Sequence, residues 1–488
     1  MIANQRRSQD RGALAIVLHT HMPYVEGFGT WPFGEEWLWE AIASCYLPLL
    51  EVLDAGAPLT LSLTPVLCDQ LEAPGVAARF EAFVNDVRQG THERDAAGLR
   101  AGGEEALACE LERAWGDYAG ALEGLRRRDG DMLAALAPHA QWTSSATHAI
   151  LPLLASDAGA RMQIRSGVAA FRRRFEGRWR GGFWLPECAY APWLERVLAD
   201  AGVGAACVEL TNGLGLGSAA HLRPLVSDAG VVLVPIDRAT MSLVWSERGY
   251  PAAGAYRDYH HHTINHHNPW NNAGAPYDHA QALALAREHA ADFVARTRVR
   301  LRDAGGTDRL VVCALDTELL GHWWYEGIAW LEAVVEECAR QRLELVRLDD
   351  GLERLAPVAV ADVLETDDRA GAGGAAPASS WGLHGDLSTW SAPAVAEIAR
   401  ATRAGEFALL RAGERAGRQA IRELLAMQAS DWAFMTSRKI AVPYASERFA
   451  GHRRALARAL EADAGDPGDD GALRNLAVDA ERAWLLAP

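Results

Sequence analysis

Asp316 closes an apolar, β-branched run, Leu310-Val311-Val312-Cys313-Ala314-Leu315, and is followed at once by Thr317-Glu318-Leu319-Leu320-Gly321-His322-Trp323-Trp324. A buried strand holds such an acid rigidly, and the indoles beyond it offer flat apolar faces to a pyranose ring. A second acid, Glu187, stands in Gly182-Phe183-Trp184-Leu185-Pro186-Glu187-Cys188-Ala189-Tyr190, again at a strand-like end beside tryptophan. Two carboxyl groups brought to about 5–5.5 Å cleave a glycosidic bond with retention. One attacks the anomeric carbon; the other protonates the leaving oxygen and then activates the acceptor. The alternative for each is a salt-bridged or helix-capping acid.

His19-Thr20-His21-Met22-Pro23-Tyr24 places two imidazoles on one side of an extended chain. They read as donors to ring hydroxyls and to a nucleophile, as a metal pair of the kind a metal-dependent amidohydrolase or deacylase uses, or as a polar core pair. The run His260-His261-His262-Thr263-Ile264-Asn265-His266-His267 reads as a polar loop rather than a geometric metal site. Trp381 and Trp390 flank Gly382 and Asp386, which suits a loop that places indoles or a plug between domains. Asp431-Trp432 falls in a helical stretch, where core packing is the other reading.

These residues need elements to hold them. Short apolar runs recur at 13–18, 59–64, 140–144, 182–185, 205–209, 310–315 and 343–347, with helical stretches between. Strands alternating with helices predict βα units and a parallel sheet, and this many units suit a barrel. Residues 231–235 are read as an accessory strand. Residues 66–138, rich in Ala, Leu, Glu and Arg, predict a helical insertion within a catalytic unit spanning 1–355. An Ala/Gly-rich linker or loop, 356–380, and a helical C-terminal domain, 381–488, follow. In a βα barrel the chemistry sits at the C-terminal strand ends. His19 and His21, Glu187 and Asp316 fall after the first, fourth and sixth predicted strands.

The net charge of −16 disfavours nucleic acid and anionic membrane surfaces as partners. No run approaches the roughly 18 apolar residues of a membrane span, and 13–18 is too short for a signal sequence. Seven scattered cysteines without CxxC spacing predict reduced thiols and hence a cytoplasmic protein.

At these residues the chain resembles glycoside hydrolase family 57, most nearly its α-glucan branching enzymes. The matching pieces are His19-Thr20-His21-Met22-Pro23-Tyr24, Trp31-Pro32, Ala146-Thr147-His148, Trp184-Leu185-Pro186-Glu187-Cys188-Ala189-Tyr190, Leu315-Asp316-Thr317-Glu318-Leu319, Ser380-Trp381-Gly382, Trp390 and Ser430-Asp431-Trp432. The resemblance implies an α/β fold: an incomplete (β/α)7 TIM-like barrel with a helical insertion, followed by an all-α C-terminal domain that closes the active cleft. It implies a retaining enzyme, without metal or cofactor, that cleaves α-1,4 bonds of an α-glucan and forms α-1,6 branches. Glu187 falls on the family's nucleophile and Asp316 on its general acid/base. His21 and His148 fall on donors near the scissile sugar, and Trp31, Pro32, Trp245, Trp381 and Trp390 on glucan-contacting positions. His19, Trp323, Asp431 and Trp432 complete the expected substrate-binding set. Branching members carry a tyrosine on a mobile loop after the fifth strand; the matching segment, 211–230, has none. That departure predicts appreciable hydrolysis, the α-amylase outcome, beside branching. A metal-dependent hydrolase and a catalytically silent glucan-binding protein are the other classes these residues allow.

Overall fold

Every side chain of the first strand after Ala13 is buried, a pattern that requires cover on both faces and hence a parallel sheet wrapped by helices. The structure, a computed structural model, describes residues 12–29, 33–306, 308–364, 378–461 and 475–486. Its strands are β1 (Ala13–Thr20), β2 (Thr60–Leu63), β3 (Ala140–Ser144), β4 (Gly182–Trp184), β5 (Ala205–Val208), β6 (Leu225–Val226), β7 (Val232–Pro235), β8 (Leu310–Asp316), β9 (Glu344–Leu345) and β10 (Val358–Ala359). The neighbour order is β10-β6-β7-β5-β4-β3-β2-β1-β8, with β9 beside β1. From β7 to β8 along that path all pairs are parallel.

The seven strands from β8 through β1 to β7 curl until their outer members meet. There the amide of Asp237, just past β7, donates a 2.9 Å bond to the Val312 carbonyl of β8. One backbone bond stands where a ladder would close the cylinder, which makes this (β/α)7 barrel incomplete. β6 runs antiparallel to β7 and carries β10, outside the barrel.

Two strand expectations change. The run 231–235, expected as an accessory strand, supplies β7, a full barrel member between β5 and the β8 side. The run 343–347 pairs only through Glu344 and Leu345, against the start of β1. Its alternation of apolar and charged residues fits a half-exposed edge and not a barrel stave. Asp316 therefore ends the seventh barrel strand and not the sixth. The start of the expected linker is also ordered: β10 and the short helix Val360–Leu364 lie there. Its Ala/Gly-rich part, 365–377, lies outside the described residues.

Between β2 and β3 run the helices Pro65–Leu71, Val76–Ala82, Gln89–Ala101 and Glu105–Arg126. After the barrel, helices Ala396–Ala412, Arg418–Gln428, Ser430–Arg438 and Tyr444–Glu461 build their own core from Leu424, Leu425, Trp432, Phe449 and Leu456. Each such side chain contributes about 1.5–3 kcal/mol on burial. Fully buried Arg448 ties that core to the barrel mouth: its guanidinium donates to the Tyr24 carbonyl at 2.7 Å and lies 3.4 Å from the Phe28 ring centre. Among the described residues no helix is long and apolar enough to cross a membrane.

Candidate active site

β8 delivers Asp316 to the C-terminal mouth of the barrel, in register with His19 of β1. Glu187 follows β4 in a 3-10 turn, Pro186–Cys188, with a left-handed backbone (φ 59°, ψ 23°). An L residue there costs about 1–2 kcal/mol. Two backbone bonds hold it: Cys188 N–H to the Leu185 carbonyl at 2.7 Å and Trp381 N–H to the Glu187 carbonyl at 2.9 Å. Strain held in place by its surroundings is a common mark of a functional position. Oε2 of Glu187 accepts a 2.7 Å bond from the Trp381 indole, and Oε1 lies 3.9 Å from Nδ1 of His148.

Burial raises the Glu187 carboxyl to about 7, with the Trp381 bond and the His21 charge pulling it back. Burial also lifts Asp316 well above the usual carboxylate range, and the charges of Glu187 and Glu318 add to it. The two acids thus sense each other across one cleft. Ionising one makes the other harder to ionise, the charge state that a nucleophile and a proton donor need together.

Three stacked imidazoles line the floor. His21 sits over His148 at 3.9 Å between ring centres, and His148 over His19 at 5.0 Å. Nε2 of His21 meets Asp431 at 3.0 Å, its Nδ1 meets Thr64 at 3.2 Å, and its amide donates to Glu318 at 3.2 Å. Burial works against its cation, yet Asp431, Glu318 and Glu187 outweigh burial and leave His21 above its ordinary value. His148, itself left-handed at φ 58°, bonds Ser430 through Nδ1 and His19 through Nε2, both at 2.9 Å. Burial and the other imidazoles push His148 and His19 well down, so both are neutral. His19 is sealed between His148 and the Trp184 indole, 4.5 Å away. Its Nδ1 lies 3.4 Å from the Ser62 hydroxyl, so it stands behind His148 at the back of the site.

Among the described residues one grouping has metal-ligand spacing: His21, His148 and Asp431, with ligand atoms within 4.8 Å of one another. The His19/His21 pair does not form it, and no histidine of 260–267 joins it. Each of the three already has a protein partner.

Trp381 reaches the cleft through its indole, packed edge-on to Trp184 at 5.2 Å, while Arg238 holds the Trp381 carbonyl at 3.0 and 3.1 Å. Trp245 and Trp323 are exposed past the ends of β7 and β8, on the same mouth. Trp390 (3% exposed) and Trp432 (0%) are enclosed, as the plug and core-packing readings of these two indoles have it. Trp432 donates its indole N–H to the Ala426 carbonyl at 2.7 Å, and Trp390 lies under Gly382. They pack under the Trp381 loop and within the helix that brings Asp431. Trp31 and Pro32 lie outside the described residues.

One acid of the site, Glu318, had no role assigned from the sequence. Glu318 is raised to about 7 by burial and accepts a 2.7 Å bond from the Tyr46 hydroxyl beside His21. It stands two places after Asp316, but only the 3-10 turn Thr317–Leu319 brings it to the same mouth. Segment 211–230 rests on the Trp381 loop, Asn212 donating to the carbonyls of His384 and Gly385 at 2.9 and 3.1 Å.

Comparison with known proteins agrees with this geometry. The sequence model of glycosyl hydrolase family 57 matches residues 142–364, and that of the 1,4-alpha-glucan branching enzyme C-terminal domain matches 393–481. The chain is 33% identical to a probable 1,4-alpha-glucan branching enzyme of Mycobacterium tuberculosis, over 98% of this chain and 97% of that one. A crystal structure of a GH57-type branching enzyme from Pyrococcus horikoshii superposes with a TM-score of 0.83 at 29% identity, covering 92% of this chain and 89% of that one. The α-amylase AmyC from Thermotoga maritima gives 0.78 at 25%, covering 97% and 96%. The chain belongs to glycosyl hydrolase family 57.

Proposed function

We propose that the protein is a retaining 1,4-α-glucan branching enzyme. The observation that carries this reading is geometric: the ends of β4 and β8 bring Glu187 and Asp316 to one barrel mouth, where the Trp381 indole bonds Glu187 and the stacked His21–His148 pair lies beside it. In the first step the Glu187 carboxylate attacks C1 of a glucosyl unit, the C1–O4 bond breaks, and the proton of Asp316 goes to the departing O4. In the second, the 6-hydroxyl of another glucan chain gives its proton to Asp316 while its oxygen displaces the Glu187 ester at C1. One α-1,4 bond is exchanged for one α-1,6 branch. We assign His21 and His148 to the hydroxyls of the reacting glucose, and Asp431 and Glu318 to holding His21 in place.

Water competes with the second step. The linkages exchanged are similar in energy, so access to the ester decides; about 1.4 kcal/mol between the two barriers changes the product ratio tenfold. With no tyrosine in 211–230, hydrolysis accompanies branching. Scattered thiols fit a reducing compartment, the basis for placing the enzyme in the cytoplasm. Incubation with amylose, counting new α-1,6 linkages against new reducing ends, tests the reading. Branches in excess support it; reducing ends alone leave an α-amylase.

A further inference from the structure

A cavity of about 810 Å³ is bordered by Gly321, His322 and Trp323, a few residues beyond Asp316, and is lined by neither of the two acids. Its size falls within the roughly 300–1,000 Å³ of ligand pockets. Helix Glu105–Arg126, residues 33–51, the histidine-bearing segment after Arg257 and the Gly321-His322-Trp323 loop wall it. That loop continues directly from Asp316, so the cavity joins the cleft on the side of the proton donor.

Its lining suits an uncharged polyol. Trp323 is 47% exposed and is braced by Tyr259 at 4.7 Å and 26°, giving one broad aromatic surface. Glu36 is 5% exposed; one oxygen takes a 3.0 Å bond from Arg88 and the other has no partner. A buried polar atom left open at a cavity wall invites a ligand group. Burial pushes Glu36 up to about 8, so near neutrality its acid form both donates and accepts, as a sugar hydroxyl does. The cavity's buried guanidinium groups are engaged, Arg88 by Glu36 and Glu40 and Arg257 by Glu110, and the exposed Arg127 lies 3.7 Å from Glu51. Five acids, Glu36, Glu40, Glu51, Asp117 and Glu326, share the lining and disfavour an anionic ligand. The histidine segment is ordered: Asp95 holds Asn265 at 2.6 Å, and Asn268 holds the Tyr259 carbonyl at 3.1 Å.

We propose that this cavity is the acceptor subsite, taking the α-1,4-glucan chain whose 6-hydroxyl attacks the glucosyl ester, with Tyr259, Trp323 and Glu36 as its contacts. The inference rests on the branching reading. Its position supports the acceptor because the attacking hydroxyl must reach Asp316, and the cavity opens from the Asp316 loop.

α-Maltosyl fluoride has no sugar on the leaving side, so fluoride release reports donor chemistry alone. Gly120 lines the cavity, and a Cβ there meets nothing within 4 Å, so Gly120→Trp fills the space from an open position. We expect Gly120→Trp to release fluoride at the wild-type rate and to lose α-1,6 formation on amylose by about tenfold or more. Tyr259→Ala should raise the maltoheptaose concentration for half-maximal transfer by about tenfold, the loss of one aromatic contact. Wild-type branching in Gly120→Trp overturns the assignment while the branching reading stands. If Gly120→Trp loses fluoride release as well, Tyr259→Ala decides, and an unchanged maltoheptaose requirement overturns the assignment. A wild-type protein that makes no α-1,6 linkages ends the branching reading and the acceptor role with it.

Discussion

Trp381 grips Glu187 twice, its indole donating to Oε2 at 2.7 Å and its amide donating to the Glu187 carbonyl at 2.9 Å. One residue fixes both the carboxyl and the strained backbone of the proposed nucleophile. The indole bond favours the carboxylate form. Trp381→Phe removes it while keeping an aromatic ring, so the Glu187 pKa should rise from its value of about 7. The acid limb of kcat/KM then moves to higher pH. A hydrogen bond to a charged group is worth about 1.5–3 kcal/mol, so activity near pH 6 falls roughly tenfold or more. The deficit shrinks toward pH 8. Paired pH–rate profiles check this, and an unmoved acid limb removes the role.

Replacing the acids should separate activity from stability. Glu187→Gln and Asp316→Asn each lower glucan cleavage by about 10³-fold or more. Both carboxyls hold their protons more tightly folded than unfolded. Their penalty on folding is absent below the unfolded value near 4 and grows as pH rises through about 7. The double variant should therefore melt above wild type at pH 8, with the gap closing toward pH 4. Thermal midpoints across that range check it; equal midpoints at pH 8 would mean the acids are not strained by burial.

Gly321 has φ +103°, and a Cβ there would lie 1.9 Å from the Ser44 carbonyl oxygen. Gly321→Ala meets both a disfavoured backbone and backbone atoms that give little. It should destabilise by about 3 kcal/mol and displace the loop carrying Trp323. Denaturant unfolding measures the loss; a change under about 0.5 kcal/mol, the range of ordinary surface substitutions, would contradict the packing described.

Much of this was legible because the strands are short, apolar and regularly spaced, and because Asp316 ends one and Glu187 follows another within three residues. β7 follows the short antiparallel β6 and closes on Pro235, and only its pairing with β5 shows it to be a barrel member. Trp390 and Trp432 illustrate the opposite limit. Their motifs name the right loop and helix, but sequence does not say whether an indole faces a cleft or a core. Glu318 belongs to the site through tertiary contacts with Tyr46 and His21, which no local pattern encodes.

The double-displacement chemistry needs only two carboxyl groups. Exhaustive dialysis against a chelator should leave amylose branching unchanged, although His21, His148 and Asp431 lie at ligand spacing. Activity lost to the chelator and restored by zinc would place the protein among metal-dependent hydrolases.

Trapping the intermediate tests the central claim most directly. Asp316→Ala lacks the base for the second step, yet fluoride leaves without acid assistance, so maltosyl fluoride should load the enzyme. Intact mass should show one maltosyl adduct per chain, and peptide mapping should place it on Glu187. No adduct, or an adduct on another residue, would contradict the account.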